Sequence, residues 1–278
     1  MPATVGRRRS HPRRRHGTAA ARRRSRVRSA RPASRRTPLS PPSPSAGRDD
    51  PADAYREFRH PLLALILGIG IAGALDAFAF LRYGAFVANQ SGNAVFLGIG
   101  PAGEHPQWPA AAASLAAFAA GAGIVSWLRG ATRRWPPPLT GIVVTELALA
   151  LWTVLNLLLG YGREAAAARI VLTAVGAFAM GSLTTLFSRT AGIATTITYQ
   201  SGTAAKTGER AVRWLTGRGA GRTRARTGTL LGLLAISCYA AGGAVGTLAQ
   251  HQPRWVPLWG ALALATLILM IRRDGDRR

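Results

Sequence analysis

The sequence has a single cysteine and few acidic residues. Cys238 is the one thiol in 278 residues, which excludes an intramolecular disulfide and a cysteine-based zinc cluster. Only 11 Asp and Glu stand against 36 Lys and Arg, for a formal net charge of +25, yet 48% of the chain is hydrophobic. A disordered protein would be less apolar, and a soluble nucleic-acid binder would not need such long uncharged runs. The composition favours a membrane protein and argues against nucleic acid as a partner.

Acidic residues are absent from residues 1–48, which contain 15 Arg. Residues 1–60 are rich in Arg, Pro and Ser and have no apolar periodicity, so we predict a disordered arm that is not needed for folding. The arm is suited to anionic lipid headgroups, to nucleic acid or to organellar targeting. Compositional drift, or a start codon assigned too early, would explain it without any role. No apolar region with a cleavage site follows the Arg pairs, so no secretory signal is predicted.

Long apolar runs begin beyond the arm, and residues 61–278 are predicted to form a membrane domain with a short basic C-terminal tail. Each run is long enough to cross a hydrocarbon core of about 30 Å as a helix. We predict six spans, and the fold class is therefore all-α and polytopic. The spans are expected at residues 62–81, 109–128, 140–160, 167–188, 229–250 and 255–271.

The connectors between the predicted spans alternate in charge. One set is basic and includes the arm, Arg133, the segment 206–226 and the C-terminal tail, whereas the other set carries few arginines. Because cytoplasmic connectors retain Lys and Arg, this alternation predicts that both termini are cytoplasmic. The expected location is the bacterial cytoplasmic membrane, with the lipid bilayer as the main partner and the oligomeric state left open.

Two segments of the chain resemble each other. Residues 73–77 lead to residues 88–93, and residues 181–185 lead in the same way to residues 198–203, with Gln-Ser-Gly in both copies. The copies follow the first and the fourth span, so the chain divides into halves of three spans at about 61–160 and 161–271. Three is odd, and the second half must therefore enter the membrane from the opposite side. This predicts an inverted repeat, as in many secondary transporters.

Each Gln-Ser-Gly segment also has the composition of a helix start. A short helix beginning after Ser91, with Ser or Asn as its N-cap, would leave backbone N–H groups available to an anion or a polar solute. The second copy offers Ser201 or Thr203 in the same role. We predict that the two starts approach each other near the membrane midplane, although two ordinary surface turns remain the alternative.

The chain resembles the YoaK family of small bacterial inner-membrane proteins, a domain of unknown function. The resemblance rests on Gly73–Ala77 followed by Phe86-Val87-Ala88-Asn89-Gln90-Ser91-Gly92-Asn93, where Ser91 replaces the usual Thr. In the second half, Thr195-Thr196 and residues 199–203 fit the family pattern, but the family's Gln-Asn pair is absent from residues 181–185. The resemblance covers residues 61–271 and implies a fold and a location, with no established activity.

Asp76 is the main candidate for function, because an ionisable group within a span is costly. It is expected either to line a proton or cation pathway or to pair with Asn89, Asn93 or a protonated Glu146. Asp76→Asn is then expected to preserve folding and abolish ion-coupled uptake. Asn156 is expected to make a helix-to-helix hydrogen bond. The complete candidate set for the solute or ion pathway is Asp76, Asn89, Gln90, Ser91, Gly92, Asn93, Glu146, Gln200, Ser201, Gly202 and Thr203.

These features favour a secondary transporter of a small polar or anionic solute. The alternative is a membrane scaffold or sensor that binds lipids or protein partners through its basic segments. No enzyme is predicted, because the Gln-Ser-Gly segments have no intramembrane histidine to serve as a base. Neither a cofactor nor a metal is expected, since the sequence contains no His-Glu-x-x-His and no complete phosphate-binding loop.

Overall fold

The computed structural model describes residues 58–131, 137–160, 165–187, 189–190, 193–194 and 200–271. Residues 1–57 of the predicted arm, the C-terminal tail after Ile271, and Thr195, Thr196 and Tyr199 lie outside the described residues. The predictions that concern them are not tested by the structure.

Helices make up nearly all of the described chain. They are α1 Pro61–Tyr83, α2 Gln90–Ile99, α3 Trp108–Ala131, α4 Pro137–Leu158, α5 Ala166–Thr184, α6 Gln200–Thr216, α7 Gly219–Ala249 and α8 Val256–Leu269. A 3₁₀ turn, Gly100–Ala102, follows α2. Between α5 and α6, the two-residue strands β1 Arg189–Thr190 and β2 Ile193–Ala194 pair in antiparallel register.

Five of the described helices, α1, α3, α4, α5 and α7, are long and apolar enough to cross a membrane. The predicted all-α membrane class is confirmed at this level. The sixth predicted span corresponds to α8, an apolar helix of 14 residues. At 1.5 Å per residue it covers about 21 Å, less than the hydrocarbon core.

The fifth predicted span, residues 229–250, begins ten residues later than the observed helix. α7 begins at Gly219 and has 31 residues. Residues 219–228 contain no proline, and arginine and alanine are good helix formers, so the helix continues into the basic segment. Its length of about 46 Å exceeds the hydrocarbon core by about 16 Å, and its first turns must therefore extend beyond that core.

Two pairs of helices cross at very close range. α1 packs on α7, and α3 packs on α5. At each crossing, glycines bring one backbone against a carbonyl of the other helix, and an added Cβ would overlap that carbonyl. The pairs are Gly73 with Tyr239, Gly242 with Gly70, Gly246 with Ala74, Gly181 with Phe118, and Gly121 with Phe178. Small residues permit such contacts between membrane helices, where packing rather than water drives association.

The core lies between α1, α4, α5 and α8. Its largest buried side chains include Phe78, Tyr83 and Trp152, whose rings lie 5.7–6.4 Å apart. The ring of Phe58 stacks on Phe187 at 5.4 Å. The first set of contacts connects α1 to α4, and the second connects the residue Phe58, which precedes α1, to Phe187, which follows α5.

Candidate polar site within the membrane domain

The carboxylate of Asp76 accepts four hydrogen bonds. Its Oδ1 accepts the backbone N–H groups of Val87 at 2.7 Å and Ala88 at 2.8 Å, and its Oδ2 accepts that of Asn89 at 2.9 Å. The hydroxyl of Tyr239 on α7 also donates to Oδ2. Asp76 is only 2% exposed. An ionised carboxylate is an acceptor at both oxygens, so four donors match it without an unsatisfied group.

The chain folds back into the membrane domain directly after α1. α1 ends at Gly84, whose φ of 78° is left-handed and whose N–H bonds to the Phe80 carbonyl. Asp76 precedes Tyr83 by seven residues, which is about 10 Å along the helix axis. Because residues 87–89 bond to Asp76, they lie at its level rather than at the end of the span. Non-helical backbone at that depth needs partners, and Asp76 supplies them.

The predicted short helix exists and begins slightly earlier than expected. α2 starts at Gln90, and its N-cap is Asn89, whose Oδ1 accepts the N–H of Gly92 at 3.4 Å and the hydroxyl of Ser91 at 2.7 Å. An anion or a polar solute was expected at this positive helix end. The nearby carboxylate of Asp76 already supplies that negative charge.

Three polar side chains fasten α2 to α3. Asn93 donates to the Phe86 carbonyl at 2.7 Å and to Ser114 Oγ at 2.9 Å, and its Oδ1 accepts the Phe86 N–H at 2.9 Å. Gln90 Nε2 donates to Ser114 Oγ at 3.2 Å and to the Val87 carbonyl at 3.0 Å. Ser114 was not among the predicted site residues. In the sequence it stands out only as a hydroxyl residue within an alanine-rich span.

Asn156 joins helices, as expected. Its Oδ1 accepts the hydroxyl of Tyr83 at 2.8 Å, and its Nδ2 donates to the Pro253 carbonyl at 2.9 Å. All three groups belong to different segments of the bundle. The predicted helix-to-helix hydrogen bond is therefore confirmed.

Glu146 lies on α4, apart from the Asp76 group. Its side chain is partly buried, and its Oε1 is buried without a hydrogen-bond partner in the described part of the chain. The suggested pairing of Asp76 with Glu146 is wrong, because the Asp76 carboxylate is bonded to the backbone and to Tyr239 instead. Glu146 is thus the less constrained of the two intramembrane carboxyl groups.

The second Gln-Ser-Gly copy forms the first turn of α6. Gln200, Ser201, Gly202 and Thr203 are its first four residues, and Thr203 accepts the Thr207 hydroxyl through its carbonyl at 2.7 Å. The sequence offset of 108 pairs Asp76 with Thr184 on α5. Thr184 donates its hydroxyl to Met180 within its own helix at 2.9 Å. The second copy therefore has no carboxylate in the place of Asp76.

α6 runs antiparallel beside α7, and this fixes the depth of its first turn. Thr207 lies against Gly232, and Arg210 lies against Gly228. Gln200 precedes Thr207 by seven residues, and Tyr239 follows Gly232 by seven residues. Because both antiparallel helices rise equally per residue, Gln200 lies at about the level of Tyr239. Tyr239 lies ten residues from Thr229 and from Ala249, in the middle of the apolar part of α7. Tyr239 was missed by the sequence analysis because a lone tyrosine in a span carries no pattern.

The structure thus brings Asp76, Asn89, Gln90, Ser91, Gly92 and Asn93 into one polar group and adds Ser114 and Tyr239 to it. Glu146 stays outside that group. Among the described residues, no three His, Cys, Asp or Glu side chains lie together as metal ligands.

Comparison with protein-family models matches residues 63–271 to a family described as proteins of unknown function, DUF1275. The match covers about three quarters of the chain, which therefore belongs to the DUF1275 family. Comparison with curated proteins and with solved structures finds no match. An uncharacterised membrane-domain family agrees with the expectation from the sequence, and the resemblance to the YoaK family stays a prediction.

Proposed function

We propose that this protein is a secondary carrier of a small polar solute in the bacterial cytoplasmic membrane, built as two inverted repeats with both termini cytoplasmic. The observation that carries the proposal is the re-entrant segment 84–89, which returns to the level of Asp76 and starts α2 there. Broken helices of this kind, with starts near the midplane, form the substrate sites of many secondary transporters.

The glycine crossings support the repeat. An offset of 108 carries Gly70 and Gly73 of α1 onto Phe178 and Gly181 of α5. An offset of 121 carries Phe118 and Gly121 of α3 onto Tyr239 and Gly242 of α7. Under these two offsets the contacts of Gly73 with Tyr239 and of Gly70 with Gly242 have counterparts in the other crossing, whereas the contact of Gly246 with Ala74 falls on Val125 and Ser182.

Burial supports the same correspondence. Every buried position between Ala64 and Ala79 of α1 has a buried counterpart 108 residues later, except Asp76, whose counterpart Thr184 is partly exposed. Two surface crevices also correspond. The crevice between α3, α4 and α5 maps residue by residue onto the one between α7, α8 and α1, with an offset of 112 from α4 to α8.

In this proposal the solute binds between the starts of α2 and α6. Asp76 holds the first start in place and is a positioning residue. Its negative charge repels an anion from the start of α2. The corresponding residue for the start of α6 is Thr184, which carries no charge. An anionic group of the solute would therefore face Gln200–Thr203, where the helix dipole is not neutralised by a carboxylate at the Asp76 position.

Glu146 is the proposed coupling residue. A buried carboxyl oxygen without a donor can take up a proton or a cation without breaking the fold, whereas Asp76 would first have to release four donors. This assignment differs from the sequence-based hypothesis, which gave the coupling role to Asp76.

A thermal-shift screen of the purified protein against a library of amino acids, organic acids, sugars and nucleobases tests the proposal. We expect at least one solute class to raise the melting temperature, because a ligand that binds only the folded state stabilises it. Substitution of Gln200 by Ala should remove that response. A screen without any response, together with altered localisation on loss of the arm, would favour a scaffold or sensor.

Labelling of Arg218→Cys from the outside would contradict the topology.

A further inference from the structure

α6 and the first turns of α7 form a rigid helical hairpin. Arg210 packs against Gly228, and Arg222 Nε donates to the Trp214 carbonyl at 3.2 Å. The guanidinium of Arg226 lies over the Trp214 ring at 5.9 Å. These contacts hold α6 against the first turns of α7, and we term residues 206–226 the basic hairpin.

The basic hairpin carries a strong positive charge with almost no compensation. Its one acidic residue, Glu209, lies 3.9 Å from Arg213, and both side chains are largely exposed. An exposed pair of this kind neutralises little. The seven cationic residues are Lys206, Arg210, Arg213, Arg218, Arg222, Arg224 and Arg226.

The same helix exposes apolar side chains beside these charges. Val212 is 60% exposed and Leu215 is 76% exposed, and their spacing of three places them on one face of α6. α7 connects the hairpin directly to a span, so the hairpin lies where α7 leaves the bilayer. A helix that combines apolar and basic strips is suited to the headgroup layer.

We infer that the basic hairpin binds the phosphate groups of anionic phospholipids in the leaflet that it faces. Orientation of the spans requires only positive charge in the connector. It does not require that the charge be held on two packed helices with Val212 and Leu215 exposed beside it. Charge complementarity, the apolar strip and continuity with α7 together favour an anionic bilayer surface as the occupant. The inference does not depend on the carrier function.

The test compares the full-length protein in vesicles of phosphatidylcholine with vesicles that also contain phosphatidylglycerol. We expect phosphatidylglycerol to raise the melting temperature and salt to weaken the effect, because ions screen exposed charges. The variant Arg213→Gln/Arg218→Gln/Arg224→Gln changes exposed side chains and should lose most of the rise. Arg254→Gln is the control, since Arg254 is also an exposed arginine but lies outside the basic hairpin.

Three outcomes would overturn the inference. The triple variant could keep the full response, or Arg254→Gln could lose as much of it. Inorganic phosphate could also stabilise the protein as strongly as phosphatidylglycerol, which would indicate a soluble phosphate site. Native mass spectrometry gives a second readout, in which the triple variant should retain fewer phosphatidylglycerol molecules even if its melting temperature in phosphatidylcholine is lowered.

Discussion

The hydroxyl of Tyr239 on α7 donates to the carboxylate of Asp76 on α1. Because the same carboxylate accepts the N–H groups of residues 87–89, it connects α7 to the re-entrant segment 84–89. The corresponding positions in the proposed repeat are Phe118 and Thr184, which cannot form such a bond. The polar link therefore exists at only one of the two glycine crossings, that of α1 with α7. In the proposed repeat, a polar centre at one crossing would make the two helix starts unlike.

Tyr239→Phe should lower the free energy of unfolding by about 1–2 kcal/mol, because it removes one hydrogen bond to a buried carboxylate. It should also speed hydrogen exchange at the N–H groups of Val87, Ala88 and Asn89. Tyr83→Phe is the control, since it breaks the bond to Asn156 and leaves Asp76 untouched. Equal exchange in both variants would show that Tyr239 does not help to hold the segment.

Asp76→Asn should destabilise the protein by about 2 kcal/mol or more. The NH₂ group of the new side chain would replace one accepting oxygen and would face a group that itself donates a hydrogen bond. The four observed donors thus reverse the expectation that this substitution preserves folding. Glu146→Gln should leave the melting temperature nearly unchanged, since Oε1 accepts no hydrogen bond in the described part of the chain, and should abolish any ion-coupled uptake.

The pair is informative because the two variants make the same chemical change. If Asp76→Asn unfolds no more easily than Glu146→Gln, the positioning role of Asp76 is wrong. If uptake in proteoliposomes survives in Glu146→Gln with unchanged ion dependence, the coupling role belongs elsewhere.

Gly73→Ala and Gly181→Ala should each cost more than about 2 kcal/mol, because the added methyl group would overlap a backbone carbonyl that cannot move away. Gly123→Ala on α3 is the matched control, as nothing lies within 4 Å of its added Cβ. It should be neutral or slightly stabilising, since alanine favours helix over glycine. Thermal unfolding in detergent gives the comparison. Tolerance of alanine at Gly73 would contradict the close crossing.

The sequence predicted five helices of membrane-crossing length, the half-helix at Gln90 and the helix-joining role of Asn156, because apolar length, capping residues and lone amides are local signals. Among the partners of Asp76 it named only Asn89. Those partners are backbone N–H groups 11–13 residues away and a hydroxyl 163 residues away. Contacts of this kind depend on tertiary packing. For the same reason Ser114 and Tyr239 were not predicted. The start of α7 was misplaced for another reason, since helix propensity continues beyond the apolar run that defines the span.

Deletion of residues 1–53 should leave the melting temperature nearly unchanged. The described core begins at Phe58, which stacks on Phe187, and Arg59 bonds through its N–H to the Met270 carbonyl at 2.8 Å. A shorter variant that also removes Phe58 and Arg59 should be destabilised and serves as the contrast. A large loss of folded protein on deletion of residues 1–53 alone would show that the arm contributes to the fold or to insertion.

The most direct test of the proposed carrier is the distance between the two half-helix starts. Spin labels at Ser91→Cys and Ser201→Cys, both exposed positions, can be measured in a Cys238→Ser background by pulsed electron resonance. Glu104→Cys with Arg218→Cys is the control pair, and it should span more than the roughly 30 Å hydrocarbon core. The account predicts a separation for Ser91 and Ser201 well below that thickness. A separation equal to that of the control pair would place the two segments on opposite surfaces and contradict the proposed site.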